Sequence, residues 1–327
     1  MYERFYGLKG KPFKLTPDTR FYFNSKGHSR ALDYLRYGIQ QGEGFVVVTG
    51  GVGTGKTTLA QTLFNELRRY RNVVTAHLVM SQFEGDDLLE LITDAFGLNP
   101  ADRSQATLVA ALEEFLRQQF RAKKRVILLL DEVQNLPFSG LEALRMLSNF
   151  QENQRPLIQS LLLGQAEFRD ALQRPSMEQV RQRVVASCHL EPFSEQETRD
   201  YIEHRLSQAG WKGDPAIEPE VFHSIQDYTQ GVPRRINTFC DRLLLFAFLE
   251  GVHQIQEQTV DSVAEEIAED LPGSPGQAQS GRDEGRGGDD RVSRLEERVR
   301  FLEEALRQTR DGLDRAFADN PETGGEG

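Results

Sequence analysis

The chain has 327 residues, 38% of them hydrophobic, and a formal net charge of −11. This length accommodates two domains and a tail, and the apolar content excludes wholesale disorder. The acidic balance argues against a protein that coats nucleic acid, although net charge leaves a local basic patch open.

Two cysteines, Cys188 and Cys240, provide no disulfide framework and fit a reducing compartment. The N-terminus lacks the apolar core of a signal peptide. No apolar run approaches the ~20 residues of a membrane span. We therefore expect a cytoplasmic protein, recruited to the inner membrane only if a partner holds it there.

In chain order, residues 1–43 mix aromatic residues with turn formers and predict an N-terminal strap that packs near the nucleotide and ends in a helix near 29–40. Between residues 44 and 192, short apolar runs alternate with helical patterns. The predicted strands are 45–48, 73–79, 126–130, 157–163 and 184–190. Uninterrupted apolar strands alternating with helices predict an α/β fold, a three-layer αβα core with a parallel five-stranded sheet.

Beyond residue 192 the strand pattern stops, and helical patterns predict a small all-helical lid domain over 193–270. Ser194 and Glu197 form a capping-box pattern at the start of its first helix. Pro233 suits the first turn of a later helix.

The sequence beyond residue 270 predicts three further segments. Residues 271–290 are rich in Gly, Pro, Ser and charge, which is typical of a flexible linker. Residues 291–318 carry apolar side chains at steps of three and four, which favours a short coiled coil or an amphipathic partner helix over a solvated single helix. Residues 319–327 are expected to be disordered.

A phosphate-binding motif follows the first predicted strand. Gly50 to Thr57 matches G-x-x-x-x-G-K-[ST], in the strand–loop–helix context that this motif needs. Glycines let backbone N–H groups converge on phosphate, Lys56 neutralises the β- and γ-phosphates, and the Thr57 hydroxyl binds Mg²⁺. The predicted ATP-binding residues are Gly50, Gly51, Val52, Gly53, Thr54, Gly55, Lys56, Thr57 and Thr58.

An acidic pair ends the third predicted strand. Asp131 is expected to hold the Mg²⁺ shell with Thr57, and Glu132 to polarise the attacking water. The alternative is a pair of ordinary strand-end carboxylates that cap the next helix. The histidines have no metal-ligand spacing, so Mg²⁺ is the only metal expected. For His28 two roles stay open, a place near the nucleotide base and a helix cap.

These blocks resemble the AAA+ ATPases, in particular the general secretion pathway protein A group and the related secretion ATPase group of exosortase (PEP-CTERM) loci. The resemblance spans about residues 1–268 and combines the opening strap with the blocks at 49–59, 128–136, 141–150, 161–168, 182–184, 189–193, 201–210 and 231–237. The phosphate-loop motif alone is unspecific. Its combination with the strap and the later blocks is much more specific.

The resemblance implies further site residues. Gln165 matches sensor 1, Arg183 matches the arginine finger that reaches a neighbouring subunit, with Arg181 as second candidate, and Arg234 matches sensor 2. From the residues alone, each has a plainer alternative. The plainer alternatives are a strand-end amide that caps backbone for Gln165 and a surface ion pair for Arg183. For Arg234 the alternatives are that Arg235 is the sensor 2 residue, or that either arginine is simply solvated at the start of a helix.

The chain also departs from the family pattern. Gly51, Val133, Ala166 and Cys188 stand where the family often has Glu, Ala, Pro and Tyr, and none of these changes removes a catalytic group. Secretion protein A continues through a membrane span into a peptidoglycan-binding region, where this chain has a linker and a heptad segment. Wall binding is therefore not carried over, and the exosortase-locus form, which is soluble, fits better.

The resemblance implies a Mg²⁺-dependent ATPase that self-associates, forming a ring in one reading, and serves as a motor or switch for a bacterial envelope secretion or exopolysaccharide/protein-sorting system. Its coiled coil would bind an envelope partner. A DNA-associated helper ATPase of the transposition or partition type is the alternative, although no nucleic-acid partner is expected from the charge. A nucleotide-gated scaffold is a third reading.

Overall fold

A parallel sheet lies between two layers of helices in the computed structural model, which describes residues 1–16, 18–80 and 88–270. In chain order the strands are β1 (Phe45–Gly50), β2 (Val73–Val79), β3 (Arg125–Asp131), β4 (Gln151–Glu152), β5 (Arg155–Pro156), β6 (Ile158–Gly164), β7 (Val184–Leu190), β8 (Ala216–Ile217) and β9 (Gln254–Ile255). The main sheet has the order β2-β3-β6-β1-β7, with parallel pairing throughout. This confirms the predicted fold class.

Alternation along the strands divides the core between the two faces of the sheet. Val47 and Leu128 belong to a cluster on one face, whereas Val46 and Leu129 belong to a cluster on the other. Successive side chains of a strand point to opposite faces, so strands that are apolar at every position are buried on both. The runs are uninterrupted for this reason.

The helices complete the two outer layers and the lid. They are α1 (Tyr2–Phe5), α2 (Lys26–Gln41), α3 (Lys56–Leu67), α4 (Leu88–Ala95), α5 (Gln105–Arg121), α6 (Phe138–Leu147), α7 (Ala166–Leu172), α8 (Glu178–Arg181), α9 (Glu195–Gln208), α10 (Pro219–Thr229), α11 (Pro233–Leu249) and α12 (Glu257–Asp270). Among the described residues, no helix is both long enough and apolar enough to span a membrane.

The lid consists mainly of α9 to α12. The Ser194 side chain accepts from the backbone N–H of Glu197, and the Glu197 side chain accepts from the backbone of Ser194, which confirms the predicted capping box. Pro233 occupies the first turn of α11, also as predicted. The parallel pair β8–β9 is an addition that the all-helical prediction does not contain.

The N-terminal strap packs mainly on the lid. Tyr2, Tyr6, Leu8 and Phe13 share one apolar cluster with the lid helices. The Tyr2 hydroxyl donates to Asp241 at 2.5 Å, and the Tyr6 hydroxyl donates to the Val252 carbonyl at 2.8 Å. Since α2 packs against β7 and β1, the strap joins the lid to the sheet within one compact unit, Met1–Glu269.

A buried arginine strengthens this connection. Arg205 on α9 donates through Nε to the Pro12 carbonyl at 2.6 Å and through Nη1 to the Tyr201 hydroxyl at 2.8 Å. Its guanidinium also lies over the Phe21 ring, 5.1 Å from the centroid. The predicted linker, coiled coil and disordered tail lie outside the described residues.

Candidate functional site

Three adjacent strands bring the predicted site residues to one edge of the sheet. β6 pairs with β1 on one side and with β3 on the other. The carboxyl ends of these strands are Gly50, Gly164 and Asp131. Gln165, which follows β6, therefore lies between the phosphate loop and the acidic pair. This edge of a parallel sheet is where α/β proteins bind their ligands.

The phosphate loop has the backbone that its glycines allow. Gly53 and Gly55 have φ values of +80° and +96°, which L side chains rarely adopt. The Lys56 ammonium is buried and donates to the carbonyls of Gly50 and Gly51, at 3.0 Å each. Burial lowers the pKa of Lys56, and the negative charges of Glu132 and Asp131 act in the opposite direction.

The other loop residues surround this lysine. Thr54 is buried, and its hydroxyl donates to the Gly51 carbonyl at 2.9 Å. Val52 is 61% exposed. Val52, Thr57 and Thr58 line the adjoining cavity.

Two oxygen donors meet beside the loop. Asp131 is fully buried, and its Oδ2 accepts from the Thr57 hydroxyl at 2.8 Å. Its Oδ1 accepts from the backbone N–H of Glu132 at 2.9 Å. A hydroxyl and a carboxylate are the ligands that Mg²⁺ prefers, together with phosphate oxygens and water. The donor set therefore fits a nucleotide-bound Mg²⁺ ion.

Glu132 is held by two amides. It has a left-handed backbone, with φ +59°, and its Oε2 accepts from Gln165 Nε2 at 3.1 Å and from Gln134 Nε2. Gln134 Oε1 in turn accepts from the Gln165 backbone at 2.9 Å. The Gln165 side chain makes no cap bond to α7, so the plainer alternative for this residue does not describe it.

Gln134 is absent from the predicted site residues. The only signal in the sequence is its place two residues beyond Glu132, inside the resembling block 128–136. The contact depends on the left-handed turn at Glu132, which spacing alone does not reveal.

The lid contacts the phosphate loop and borders the site. The backbone N–H of Arg234 donates to the Gly53 carbonyl at 3.2 Å. Arg234 lines a cavity of about 320 Å³ together with Lys56, Thr57 and Glu132. Arg235 is not among its lining residues, so the structure distinguishes the two neighbouring arginines.

The strap forms an aromatic wall of the same cavity. Phe21, Tyr22 and Phe23 line it, as does Phe193 at the start of the lid. Aromatic side chains in the same cavity as the phosphate loop suit a nucleotide base.

His28 supports the phosphate loop from behind. Its Nε2 lies 3.1 Å from the Thr54 carbonyl, and its Nδ1 lies 2.8 Å from the Ser25 hydroxyl. A carbonyl only accepts, so Nε2 carries the proton and Nδ1 of the neutral ring accepts from Ser25. Burial lowers the pKa of His28, although its bond to Thr54 opposes the shift. The side chain that caps α2 is that of Ser25, and the His28 ring binds this capping residue. The His28 ring also lines the cavity.

The two arginine-finger candidates lie elsewhere. Arg183 precedes β7 at the amino edge of the sheet, where its carbonyl accepts from the N–H of Phe45 at 2.7 Å. That edge is about 20 Å from the phosphate loop, at about 3.3 Å per residue of β1. The Arg183 guanidinium donates to Asn149, and Arg181 donates to the Leu172 carbonyl at 3.1 Å.

The sheet order, the phosphate loop and the helical lid define a P-loop protein with the AAA+ fold. Residues 39–172 match the family described as "AAA domain". The chain resembles the General secretion pathway protein A of Aeromonas hydrophila, to which it is 36% identical over 270 residues. That alignment covers 82% of this chain and 49% of the relative, so the chain spans about half the length of that protein.

Two further proteins share parts of this similarity. An uncharacterized HTH-type transcriptional regulator of Methanocaldococcus jannaschii is 27% identical over 249 residues, which cover 72% of this chain and 59% of the regulator. The solved structure of Cdc6p from Pyrobaculum aerophilum has a TM-score of 0.60 at 17% identity, covering 80% of this chain and 75% of that one. At this identity the likeness concerns the fold alone.

Proposed function

We propose that the chain binds ATP with Mg²⁺ and hydrolyses it, as the motor or switch of a bacterial envelope secretion or sorting system. The observation that carries the proposal is the convergence of Lys56, the Thr57–Asp131 pair and Glu132 at one sheet edge. The similarity to a protein named for general secretion supports the choice of system.

The residues divide the chemistry between them. Loop N–H groups and the start of α3 bind the phosphates, and Lys56 neutralises their charge. A bound Mg²⁺ ion supplies further neutralisation of the β- and γ-phosphates. Glu132 orients the attacking water and accepts its proton. Gln165 and Gln134 hold the Glu132 carboxylate, and Arg234 links the lid to the γ-phosphate.

Two substitutions test the site. Lys56→Ala removes the ammonium and should abolish ATP binding. Glu132→Gln keeps the shape of the side chain and removes the proton acceptor, so this variant should bind ATP and hardly hydrolyse it. Glu114→Gln, on the exposed face of α5, is the control and should hydrolyse ATP normally. ATP binding by calorimetry and phosphate release are the measurements. Normal hydrolysis by Glu132→Gln would contradict the proposal.

The placement of Arg183 supports action between subunits, because it lies far from the phosphate loop of its own chain. An arginine supplied by a neighbour contributes about 10³–10⁵ in rate in related P-loop systems. The ATPase rate per subunit should rise with protein concentration and collapse in Arg183→Ala. Arg181→Ala, at the second candidate, is measured alongside, and Arg103→Ala, an exposed arginine before α5, is the control. A rate that is independent of concentration and unchanged in Arg183→Ala would refute assembly through this residue.

The partner is best captured in the ATP-bound state. Glu132→Gln in the presence of ATP should hold the partner-bound conformation, and its pull-down should enrich envelope or secretion proteins relative to Lys56→Ala. Enrichment of DNA-processing proteins instead would favour the helper ATPase alternative.

A further inference from the structure

The amino edge of the sheet, opposite the phosphate loop, concentrates positive charge that the proposed function does not use. Three stretches meet there although they are distant in sequence. Val73 pairs with Arg125, and the Arg125 N–H donates to the Asn72 carbonyl at 2.9 Å, which places residues 68–71 beside residues 121–125. Val126 pairs with Ile158, which brings in Arg155 just before β6.

These cations are exposed and lack carboxylate partners. Within the described part of the chain, no carboxylate oxygen lies within 4.0 Å of the members of what we call the basic edge: Arg68, Arg69, Arg71, Lys123, Lys124, Arg125 and Arg155. By contrast, Arg103 and Arg117 each contact two carboxylates. Like charges gathered without counter-ions repel one another, so a bound anion would stabilise this edge.

A recess of about 950 Å³ opens within the basic edge. Its lining contains five cations and one carboxylate, Glu152, which Arg117 binds at 3.1 Å and Arg121 at 3.5 Å. The lining also includes apolar residues, among them Phe120 and Leu157. The cations around this recess suit an anionic group such as a phosphate.

We propose that the basic edge docks on an anionic phospholipid bilayer, with a headgroup phosphate in the recess. The starts of β2, β3 and β6 lie within a few residues of one level, so their loops present a broad face to a plane. Tyr70, within this face, is 54% exposed, and tyrosine favours membrane interfaces. The chain's overall negative charge does not prevent docking, because salt screens charges beyond about 8–10 Å.

The common level of the three strand starts and the exposed Tyr70 among them favour the surface of a bilayer over nucleic acid. Arg183 directly precedes β7, which lies at the far end of the strand order from β2, so docking leaves the proposed inter-subunit contact free. The inference goes beyond ATP hydrolysis and does not depend on it.

Vesicle sedimentation tests the proposal with the full chain. The protein should sediment with vesicles containing phosphatidylglycerol, should not sediment with phosphatidylcholine alone, and should be released at high ionic strength. Each basic residue near an anionic surface contributes about fivefold in affinity, so Lys123→Glu/Lys124→Glu should bind at least about tenfold more weakly. Lys9→Glu/Lys212→Glu makes the same charge change on exposed lysines outside the basic edge and should bind normally.

Three results would overturn the proposal: no binding to phosphatidylglycerol vesicles, equal loss in both double variants, or tighter binding of a short DNA duplex than of vesicles at equal salt. ATP hydrolysis, measured separately, should be the same in Lys123→Glu/Lys124→Glu and the parent protein. A failure of vesicle binding is thereby distinguished from a failure of the ATPase.

Discussion

Gly53→Ala places a methyl group where the lid meets the phosphate loop. The added Cβ would lie 2.6 Å from the Arg234 Cβ, and the residue has φ +80°. The left-handed backbone costs about 1–2 kcal/mol for an L residue. The clash is avoidable only if the lid moves away, which breaks the bond from the Arg234 N–H and costs about 1 kcal/mol more. We expect the free energy of unfolding to fall by about 2–3 kcal/mol.

Gly51→Ala is the matched control in the same loop. Its added Cβ would meet Thr54 Cγ2 at 3.5 Å, an ordinary contact, so stability should change by less than about 0.5 kcal/mol. Urea unfolding measures stability, and calorimetry in the Glu132→Gln background measures ATP affinity without turnover. A displaced lid should weaken ATP binding by at least about tenfold in Gly53→Ala. Equal behaviour of the two variants, or lost stability with unchanged ATP affinity, would refute the proposed role of the lid contact.

Three further predictions concern other parts of the site. Arg205→Met should lower the free energy of unfolding by about 2–4 kcal/mol, because the Pro12 carbonyl of the strap and the Tyr201 hydroxyl lose their charged donor. Arg199→Met, at a half-buried arginine of the same helix that pairs with Glu203, should cost less than about 1 kcal/mol in urea unfolding. The pKa of His28 in the folded protein lies below its ordinary 6.5. The stabilisation that the neutral His28 ring gives the folded protein is therefore complete above pH 6.5 and is lost as the pH falls through the folded pKa. Thermal unfolding of His28→Gln should depend less on pH in that range than thermal unfolding of the parent protein. Gln134→Leu should lower kcat by about 10–100-fold with little change in ATP affinity, because Gln134 binds the Glu132 carboxylate and does not line the cavity. Steady-state kinetics measures both quantities. Equal changes in kcat and in ATP affinity would argue against a positioning role for Gln134.

The central fold was predictable because β1 and β3 carry uninterrupted apolar runs and the other strands are largely apolar. Such runs are recognised in the sequence without knowing which strands pair. Shorter elements carry no such pattern. The strands β8 and β9 have two residues each, and α7 has seven, too few for a periodic signal. The aromatic residues of the strap predicted burial, but not that most of them would be buried against the lid.

The same distinction applies to the site. The loop from Gly50 to Thr57 is contiguous, so its spacing alone predicts a phosphate site. The contact between Gln134 and Glu132 depends on one left-handed residue, and the choice of Arg234 over Arg235 depends on which side chain faces the cavity. The basic edge forms only because strand register brings several short basic stretches together. Each stretch alone is too small in the sequence to indicate a binding surface.

The lid is assembled from two distant parts of the chain, since Tyr2, Tyr6 and Phe13 fill the core of a domain whose helices begin at Glu195. A genetic rearrangement that carried the helices alone onto another P-loop core would expose that core to water. The strap and the lid must therefore be inherited together, and a substitution in one can be compensated in the other across more than 180 intervening positions.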